Sequence, residues 1–536
     1  MRSPWRHYGP VNRPNGEAPD RSITPAPAPA PDVPPVSGSD FLQLNAGDAP
    51  AGGLSDWLAR RLREAISEGS LPVGSRLPAT RVLAGELRVS RGVVTEAYQR
   101  LTEDGHVAGR GRGGTVVVAA PPAAAPDPVP VSVPAPAAAA AAAAGSPVGA
   151  LFAVSPSGPD VFDALRAAPA RIDLSPGVPD LAAFPRTAWL RAERSVLKDL
   201  SASDLGYGDP RGAPELRRAV ANWLARNRGI RADAGEVLIT SGTAQALGLL
   251  AQVLGADGIH AMAVEDPGSL GTRQHLRNWR METPPVAVDA EGVRVDELRA
   301  TGARAVLLTP AHQFPTGVVL GGVRRRELMR WAGEGGLIVE DDYDAEHRYD
   351  RPPVPALRSV LAEHVCYAGS VSKLLAPALR MGWMLAPPKY REALVDAKRF
   401  ADLGSPVLPQ LVLARLMQSG GMERQLRLLR RRHRTRRDAM IAAIGEHLPG
   451  AVVHGAAAGL HLVVTFAGPG SAGRGPTGTD TGLAAAALAR GVKVQPLSWH
   501  RQRPGRPGLV LGYAATPPGG IAEGIALLGG VMPTGR

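Results

Sequence analysis

Four residues that can together hold a phosphorylated aldehyde lie within residues 370–380. The amine of Lys373 can form a Schiff base with an aldehyde once its pKa is depressed. The hydroxyls of Ser370 and Ser372 and the guanidinium of Arg380 can bind a phosphate dianion. This spacing assigns Lys373 the catalytic role and the other three the phosphate.

Lys373 stands out because the chain contains only five lysines. Lys389, Lys398 and Lys493 lack flanking hydroxyls placed like those on either side of Lys373, and Lys198 lies in a polar helical run. A lysine is ordinarily a surface residue. The pattern around Lys373 favours a functional role instead.

Other clusters supply the remaining groups that such a ligand needs. Asp341 offers a carboxylate that can hold a pyridine nitrogen protonated, and Tyr343 offers a phenol for a ring oxygen. Gly242, Thr243 and Ala244 form the start of a predicted helix, and the free N–H groups there can bind a phosphate. Together these groups predict pyridoxal 5′-phosphate as the cofactor.

The acidic run from Glu340 to Glu346, with His347 after it, has a second interpretation as a divalent-metal site. The apolar strand before the run and Tyr343 within it favour the cofactor. We therefore expect no bound metal.

Four short apolar runs must bring these clusters together. They are residues 237–239, 305–308, 337–339 and 365–367, and each is followed by a polar cluster. Helical patterns lie between them, such as residues 324–331. This alternation predicts an α/β fold with a mainly parallel sheet, in which ligands collect beyond the carboxyl ends of the strands.

The composition limits the class of protein. The 536 residues carry a formal net charge of +12, which invites a nucleic-acid partner, although an Arg-rich composition alone can produce it. Cys366 is the sole cysteine, which excludes an intrachain disulfide and a Cys-rich zinc site. No apolar run approaches the roughly 20 residues of a membrane helix, and no signal-peptide stretch begins the chain. We expect a cytoplasmic protein.

Pro- and Ala-rich stretches divide the chain into two folded parts. Residues 1–50 read as a disordered tail and residues 120–148 as a linker. A small domain is predicted over residues 53–119 and a large domain over residues 150–533.

The small domain has the pattern of a winged helix-turn-helix. Helices are predicted over residues 54–68 and 81–87, a third begins after Ser90 as N-cap, and short strands flank a Gly- and Arg-rich loop. The third helix would enter the major groove, where Arg91 can bind guanine or phosphate, and Arg81 can bind phosphate. Arg110 and Arg112 can reach the neighbouring groove, unless the loop is only a solvated one.

Residues 74–81, 83–84, 89–98, Leu101 and Gly105, with the Gly-rich loop, resemble the GntR-type DNA-binding domain. This resemblance implies a set of DNA-contact residues: Arg81, Ser90, Arg91, Thr95, Arg110 and Arg112. Ala79 stands where that family often has a capping Ser, and we expect Thr80 to cap the second helix instead.

Residues 207–212, 309–317, 340–344 and 370–380 resemble fold-type I aminotransferases of class I/II. The resemblance implies a mainly parallel sheet with a smaller C-terminal α+β part. It also implies that Tyr207 reaches the cofactor phosphate of a neighbouring subunit. A GntR-type reader joined to this fold resembles the MocR/GabR-type regulators, which implies a head-to-tail homodimer that binds double-stranded operator DNA.

The departures from the aminotransferase pattern favour sensing over turnover. Val510 stands where that family usually has the Arg that binds a substrate carboxylate, and Ser269 stands where a ring-stacking aromatic usually lies. The Asn that often precedes Pro-Thr-Gly in that family is absent, and His312 and Gln313 lie nearby instead. Three arginines upstream of Val510 can substitute for the missing Arg or can form a solvated loop: Arg501, Arg503 and Arg506.

These features predict a transcriptional regulator that binds pyridoxal 5′-phosphate through Lys373 and uses the cofactor, or a small amine or amino acid that reacts with it, as effector. Little or no transaminase turnover is expected. The alternatives are an active class I/II aminotransferase with a DNA-tethering N-terminal module, and an architectural DNA-binding protein with an inert large domain.

Overall fold

The structure, a computed structural model, describes residues 44, 46–49, 53–67, 70–109, 114–118, 151–152, 161–349, 354–466 and 479–532. The chain divides into two compact units, Met1–Val129 and Pro130–Arg536. The division falls within the predicted linker. That linker and almost all of the predicted tail lie outside the described residues.

The first unit is a winged helix-turn-helix, as predicted. Its elements are α1 (Leu54–Ser67), α2 (Thr80–Glu86), α3 (Arg91–Glu103), β1 (Val107–Gly109) and β2 (Thr115–Val117). The strands form an antiparallel pair. Leu58, Leu62 and Ile66 recur along one face of α1 and are buried in the core of this unit, with Val94 and Leu101 from α3.

The caps of the two DNA-binding helices match the sequence in one case only. The hydroxyl of Ser90 accepts a hydrogen bond from the Val93 N–H at the start of α3, as predicted. The expectation that Thr80 caps α2 is wrong, because Thr80 is the first helical residue and Ala79 holds the cap position without a side-chain bond.

The second unit contains two sheets and twelve helices of six or more residues in its described part. The helices are α4 (Val161–Ala167), α5 (Arg186–Asp199), α6 (Pro214–Arg228), α7 (Thr243–Ala256), α8 (Leu270–Asn278), α9 (Val295–Ala300), α10 (Gly322–Gly333), α11 (Pro388–Asp402), α12 (Val407–Gln418), α13 (Gly421–His447), α14 (Asp480–Ala489) and α15 (Pro518–Gly529). The strands are β3 (Ile172–Asp173), β4 (Val237–Thr240), β5 (Met262–Asp266), β6 (Pro285–Asp289), β7 (Gly292–Val293), β8 (Ala305–Leu308), β9 (Leu337–Asp342), β10 (Val365–Ser370), β11 (Gly382–Leu385), β12 (Val452–His454), β13 (His461–Thr465), β14 (Val492–Lys493), β15 (Gln495–Pro496) and β16 (Gly508–Gly512). A further two-stranded pair joins β3 to β14.

The main sheet has the strand order β4-β11-β10-β9-β8-β5-β6-β7. Its middle strands, β10, β9, β8, β5 and β6, are parallel. Alternate residues of β4 enter different cores, since Leu238 packs in one apolar cluster while Val237 and Ile239 pack in another. Burial of both faces explains why the predicted strands read as continuous apolar runs.

Strand β11 runs antiparallel to both of its neighbours, β10 and β4. The sequence pattern did not indicate this strand. Only residues 371–381 connect it to β10, and they contain one short 3-10 turn, Pro377–Leu379. A parallel crossover usually needs a longer connection with a helix, so the chain turns back instead.

The smaller C-terminal part follows the predicted α+β organisation. Strands β12, β13, β16 and β15 form an antiparallel sheet. Its inner face packs against the long helix α13 and against α15 through residues such as Met440, Leu509 and Ile525. Across the residues that the structure describes, we find no helix with both the length and the apolar character needed to cross a membrane.

Candidate functional site

A cavity of about 720 Å³ opens at the carboxyl ends of the parallel strands of the second unit. The structure brings five of the predicted site residues into its wall: Thr243, Asp341, Tyr343, Lys373 and Arg380. They come from three separate segments of the chain. The sheet therefore assembles the groups that were assigned to one ligand from the sequence.

Lys373 follows strand β10 and is partly buried. Its Nζ donates a hydrogen bond to the carbonyl of Gly177 over 2.5 Å. Burial lowers the pKa of the ammonium below 10.5, while the nearby carboxylates of Asp344 and Asp341 act in the opposite direction. A lowered pKa increases the fraction of neutral amine, which is the nucleophilic form.

Asp341 lies near the end of strand β9 and contributes to the cavity wall. Burial, followed by repulsion from Asp342, raises the pKa of its carboxyl to about 7, although the charge of Lys373 opposes this change. Its Oδ1 is buried without a hydrogen-bond partner among the described residues. A buried carboxylate oxygen without a partner is costly, so this position suits a ligand with a cationic N–H group.

Tyr343 is held in the cavity by His312. The tyrosine hydroxyl donates to the carbonyl of His312 over 3.2 Å and lies 3.0 Å from His312 Nδ1. The same nitrogen lies 3.0 Å from Asp344 Oδ2. From the sequence, His312 stood out only as a departure from the family pattern and was not identified as a positioning residue for the phenol.

Arg380 lies against the start of α7. Its guanidinium donates to the carbonyl of Ser241 over 2.6 Å. A Cβ on Gly242, which has a φ of +82°, would lie 3.4 Å from that guanidinium. Only glycine adopts this backbone conformation without strain, and the turn thus places a cation beside the free N–H groups of a helix.

The other residues predicted to bind the phosphate are close in sequence to Lys373 and to the start of α7. Ser370 and Ser372 precede Lys373, and the Ser370 hydroxyl accepts from the Ser372 N–H over 3.4 Å. Ala244 is the second residue of α7, and its carbonyl contacts His275 Nε2. Of this helix start, Thr243 reaches the cavity wall.

Tyr207 is not brought to the cavity of its own chain. It is 96% exposed, in a loop before α6. This loop lies beside the end of α11, because a Cβ on Gly404 would be 3.4 Å from Pro210 Cα.

The position of the missing carboxylate clamp is apolar in the structure. Val510 is fully buried in β16, where it pairs with Val463 and Gln495. The arginines of the upstream loop do not line the cavity, and Arg503 instead binds Glu297. The cations that do line it, besides Lys373 and Arg380, are Arg166, Arg273 and Lys493.

Ser269 lies in the cavity wall and caps α8, because its hydroxyl accepts from the Thr272 N–H over 3.2 Å. Other rings of the wall, Phe314, His461 and His500, come from distant segments. Phe314 lies in the motif at residues 309–317, but no sequence pattern predicted that these rings share one cavity, since their proximity depends on how the C-terminal sheet packs near the main one.

Two of the three acidic residues of strand β9 bind protein partners. Glu340 accepts from the N–H groups of Leu357 and Arg358, and Asp342 pairs with the buried Arg228. Within the described ranges, no group of three or more His, Cys, Asp and Glu residues is arranged to hold a metal ion.

Four of the predicted DNA-contact residues lie in the described part of the first unit, and all four are exposed. Arg81 at the start of α2 is exposed, as are Ser90, Arg91 and Thr95 around the first turn of α3. The guanidinium Nε of Arg91 donates to the Thr80 hydroxyl over 3.4 Å. Arg110 and Arg112 lie outside the described residues.

Two family models match this chain. Residues 170–506 match aminotransferase class I and II, and residues 54–117 match the gntR family of bacterial regulatory proteins.

Similar proteins match most of the chain. The probable rhizopine catabolism regulatory protein MocR of Rhizobium meliloti is 31% identical over 475 residues, which cover 87% of this chain and 91% of MocR. The HTH-type pyridoxine biosynthesis transcriptional regulator PdxR of Corynebacterium glutamicum is 29% identical over 412 residues, 76% of this chain and 82% of PdxR.

Among solved structures, the α-aminoadipate aminotransferase LysN from Thermus thermophilus, complexed with N-(5′-phosphopyridoxyl)-L-leucine, is 28% identical. It superposes with a TM-score of 0.61 over 72% of this chain and 96% of LysN. These likenesses confirm the predicted fold classes of both units.

Proposed function

From the premise that this chain belongs to the MocR subfamily of GntR-type transcriptional regulators, we propose that its second unit binds pyridoxal 5′-phosphate through Lys373. The cofactor, or an amine that reacts with it, then acts as the effector of DNA binding. The observation that carries this proposal is the pairing, in one cavity, of a lysine with a lowered pKa and an aspartate whose buried Oδ1 has no partner among the described residues.

The residues of the cavity fit each part of the cofactor. Asp341 can accept the N–H of the pyridine ring, and the Tyr343 hydroxyl can donate to the ring oxygen in exchange for its bond to the His312 carbonyl. Arg380 and the first N–H groups of α7 can bind the phosphate. When bound, the cofactor supplies an aldehyde that condenses with primary amines, and Lys373 in its neutral form would supply that amine beside Asp341.

The exposed apolar residues near Tyr207 support a homodimer. Leu205 and Tyr207 lie in the loop before α6, and Phe400 and Leu403 lie at the end of α11 beside that loop. Phe400 is 87% exposed. Large apolar side chains grouped in this way indicate a protein interface. A second copy of this chain, in the head-to-tail arrangement that the family resemblance implies, would cover them and place Tyr207 at its phosphate.

Two features of the cavity bear on which molecule acts as the effector. The groups for the cofactor are present, whereas Val510 leaves no cation at the position where aminotransferases bind a substrate carboxylate. The printed name of one relative concerns pyridoxine biosynthesis, which supports the cofactor itself as effector. The complete set of Lys373, Asp341, Tyr343 and Arg380 equally supports the second candidate, an active aminotransferase.

A titration of the purified full-length protein with pyridoxal 5′-phosphate tests the proposal. A visible absorption band is expected to develop, and the affinity for the operator is expected to change with the same midpoint, because an effector acts only through its different affinity for two states. Transfer of amino groups to common 2-oxo acids should be slow or absent. Enzyme-like turnover with unchanged operator binding would favour the aminotransferase.

Replacement of Arg91 by alanine is expected to reduce operator affinity at least tenfold and to reduce the preference for operator over random DNA. The reason is that a bidentate arginine–guanine contact contributes about 1–3 kcal/mol of discrimination. Fluorescence anisotropy with both DNAs, at several salt concentrations, measures this change. Arg61, an exposed arginine on α1 that pairs with Glu64, provides the control variant R61A. Equal weakening toward both DNAs would assign Arg91 to phosphate contact alone.

A further inference from the structure

The ammonium of Lys398 is fully buried although it lies outside the cavity. The side chain of this lysine, on α11, has no exposed surface. Its Nζ donates to Gln245 Oε1 over 2.7 Å, to Asp402 Oδ2 over 2.7 Å and to the Ser405 hydroxyl over 2.9 Å. All three donors of the ammonium are therefore used, and such complete pairing is what allows a lysine to be buried.

One branch of this network reaches the turn that precedes α7. Gln245 Oε1 also accepts from the backbone N–H of Ser241 over 2.8 Å, and its Nε2 donates to Asp402 Oδ2 over 2.7 Å. The carbonyl of Ser241 accepts from Arg380. Both polar groups of the Ser241 backbone are thus fixed, one by Gln245 and the other by Arg380.

The other branch reaches the loop that carries Tyr207. The carbonyl of Ser405 accepts from Gln410 Nε2 over 2.7 Å. Gln410 Oε1 accepts from the Ala213 N–H over 2.7 Å, at the residue that precedes α6. A continuous chain of hydrogen bonds therefore joins the start of α7 to the end of the Tyr207 loop, with Lys398 in the middle.

We propose that Lys398 is a positioning residue for the phosphate of the cofactor, an inference that rests on the proposed function. Lys398 and Asp402 fix the Gln245 amide in the orientation that presents Oε1 to Ser241. The turn at residues 241–243 is then held with the first N–H groups of α7 free of intrahelical acceptors and beside Arg380. Without the ammonium, the Gln245 amide can rotate, and the turn loses the bond that orders it.

The predicted effect is specific for the phosphate. Pyridoxal has the same aldehyde and ring nitrogen as pyridoxal 5′-phosphate but has no phosphate group. Lys398→Met is therefore expected to lower the affinity for pyridoxal 5′-phosphate about tenfold, which is the loss typical of one hydrogen bond to a charged group. The affinity for pyridoxal is expected to change less than about twofold. If Lys398 had a merely structural role, its replacement would lower the affinity for both compounds equally.

The measurement is a titration of full-length protein with each compound, followed by the visible band, with folding checked by circular dichroism. Lys389→Met is the matched control, since Lys389 lies on the same helix and is 61% exposed in a pair with Asp257. This control is expected to bind both compounds like the wild type.

Gln245→Ala provides an independent test, because Gln245 is only half-buried and its replacement leaves the Lys398 ammonium bound to Asp402 and Ser405. Gln245→Ala is expected to lower the affinity for pyridoxal 5′-phosphate but not for pyridoxal. The double variant with Lys398→Met should lose no more affinity than either single variant, since both replacements act on one bond. Equal loss of both compounds, or no loss, in Gln245→Ala overturns the positioning role alone. A wild-type protein that binds neither compound overturns the proposed function and this inference with it.

Discussion

Lys373→Ala is expected to abolish the visible absorption band that the full-length protein develops with pyridoxal 5′-phosphate. The band requires the aldehyde to condense with an amine, and Lys373 is the partly buried amine whose pKa is lowered and which lies in the cavity beside Asp341. The other lysine of the cavity wall, Lys493, donates to the carbonyl of Arg166 and lies 3.8 Å from Asp173.

The matched control for this experiment is Lys493→Ala, which removes an amine from the same cavity. It should retain the band, and the dissociation constant in Lys373→Ala should rise at least tenfold, which corresponds to about 1.4 kcal/mol. The operator affinity of Lys373→Ala should no longer respond to the cofactor. A band that persists in Lys373→Ala but disappears in Lys493→Ala would transfer the attachment to Lys493.

The sequence allowed both the fold class and three candidate site residues to be predicted. Lys373, Asp341 and Arg380 could be assigned because each group performs a chemistry that few residue types can perform, and because apolar runs predicted that their segments meet at one sheet edge. The structure brings all three to one cavity. Their roles toward the cofactor remain predictions.

What the sequence could not indicate are contacts between distant segments. The bond of Lys373 to Gly177 spans 196 residues, and the contact of Lys398 with Gln245 spans 153. No local periodicity encodes such pairs. In the sequence Lys398 is marked only by its lack of flanking hydroxyls, and the packing of α11 against α7 buries it.

Strand β11 and the cap of α2 illustrate a similar limit at short range. Four apolar residues after Arg380 fit either a strand or the start of a helix. Pairing of β11 with both β10 and β4 selects the strand. Likewise Thr80 has the right side chain for a cap, but the helix begins one residue earlier than that role requires, and its hydroxyl accepts from Arg91 instead.

Buried acids around the cavity give the cofactor-free protein a characteristic pH dependence. Burial raises the pKa of Asp341 from 3.8 to about 7, and it raises the pKa of Glu265 and Glu340 to about 7 as well. At these three carboxyl groups the folded state therefore binds more protons than the unfolded state between about pH 4 and pH 7. Their contribution to stability consequently falls as the pH rises through this window, and above pH 7 the full cost of the three charged carboxylates is present.

Asp341→Asn is expected to remove the part of this loss of stability that comes from the ionised Asp341 carboxylate. Asn cannot ionise, so the stability of the cofactor-free variant relative to the wild type should increase by about 2 kcal/mol between pH 5.5 and pH 8.5, as judged from denaturant unfolding. The same variant should bind pyridoxal 5′-phosphate more weakly, because an amide cannot hold the ring nitrogen protonated. Opposite effects on stability and affinity would identify Asp341 as a carboxylate kept unpaired for the ligand. If the stability difference did not vary with pH, the raised pKa assigned to Asp341 would be wrong, and a variant that also bound the cofactor normally would remove Asp341 from the ring nitrogen.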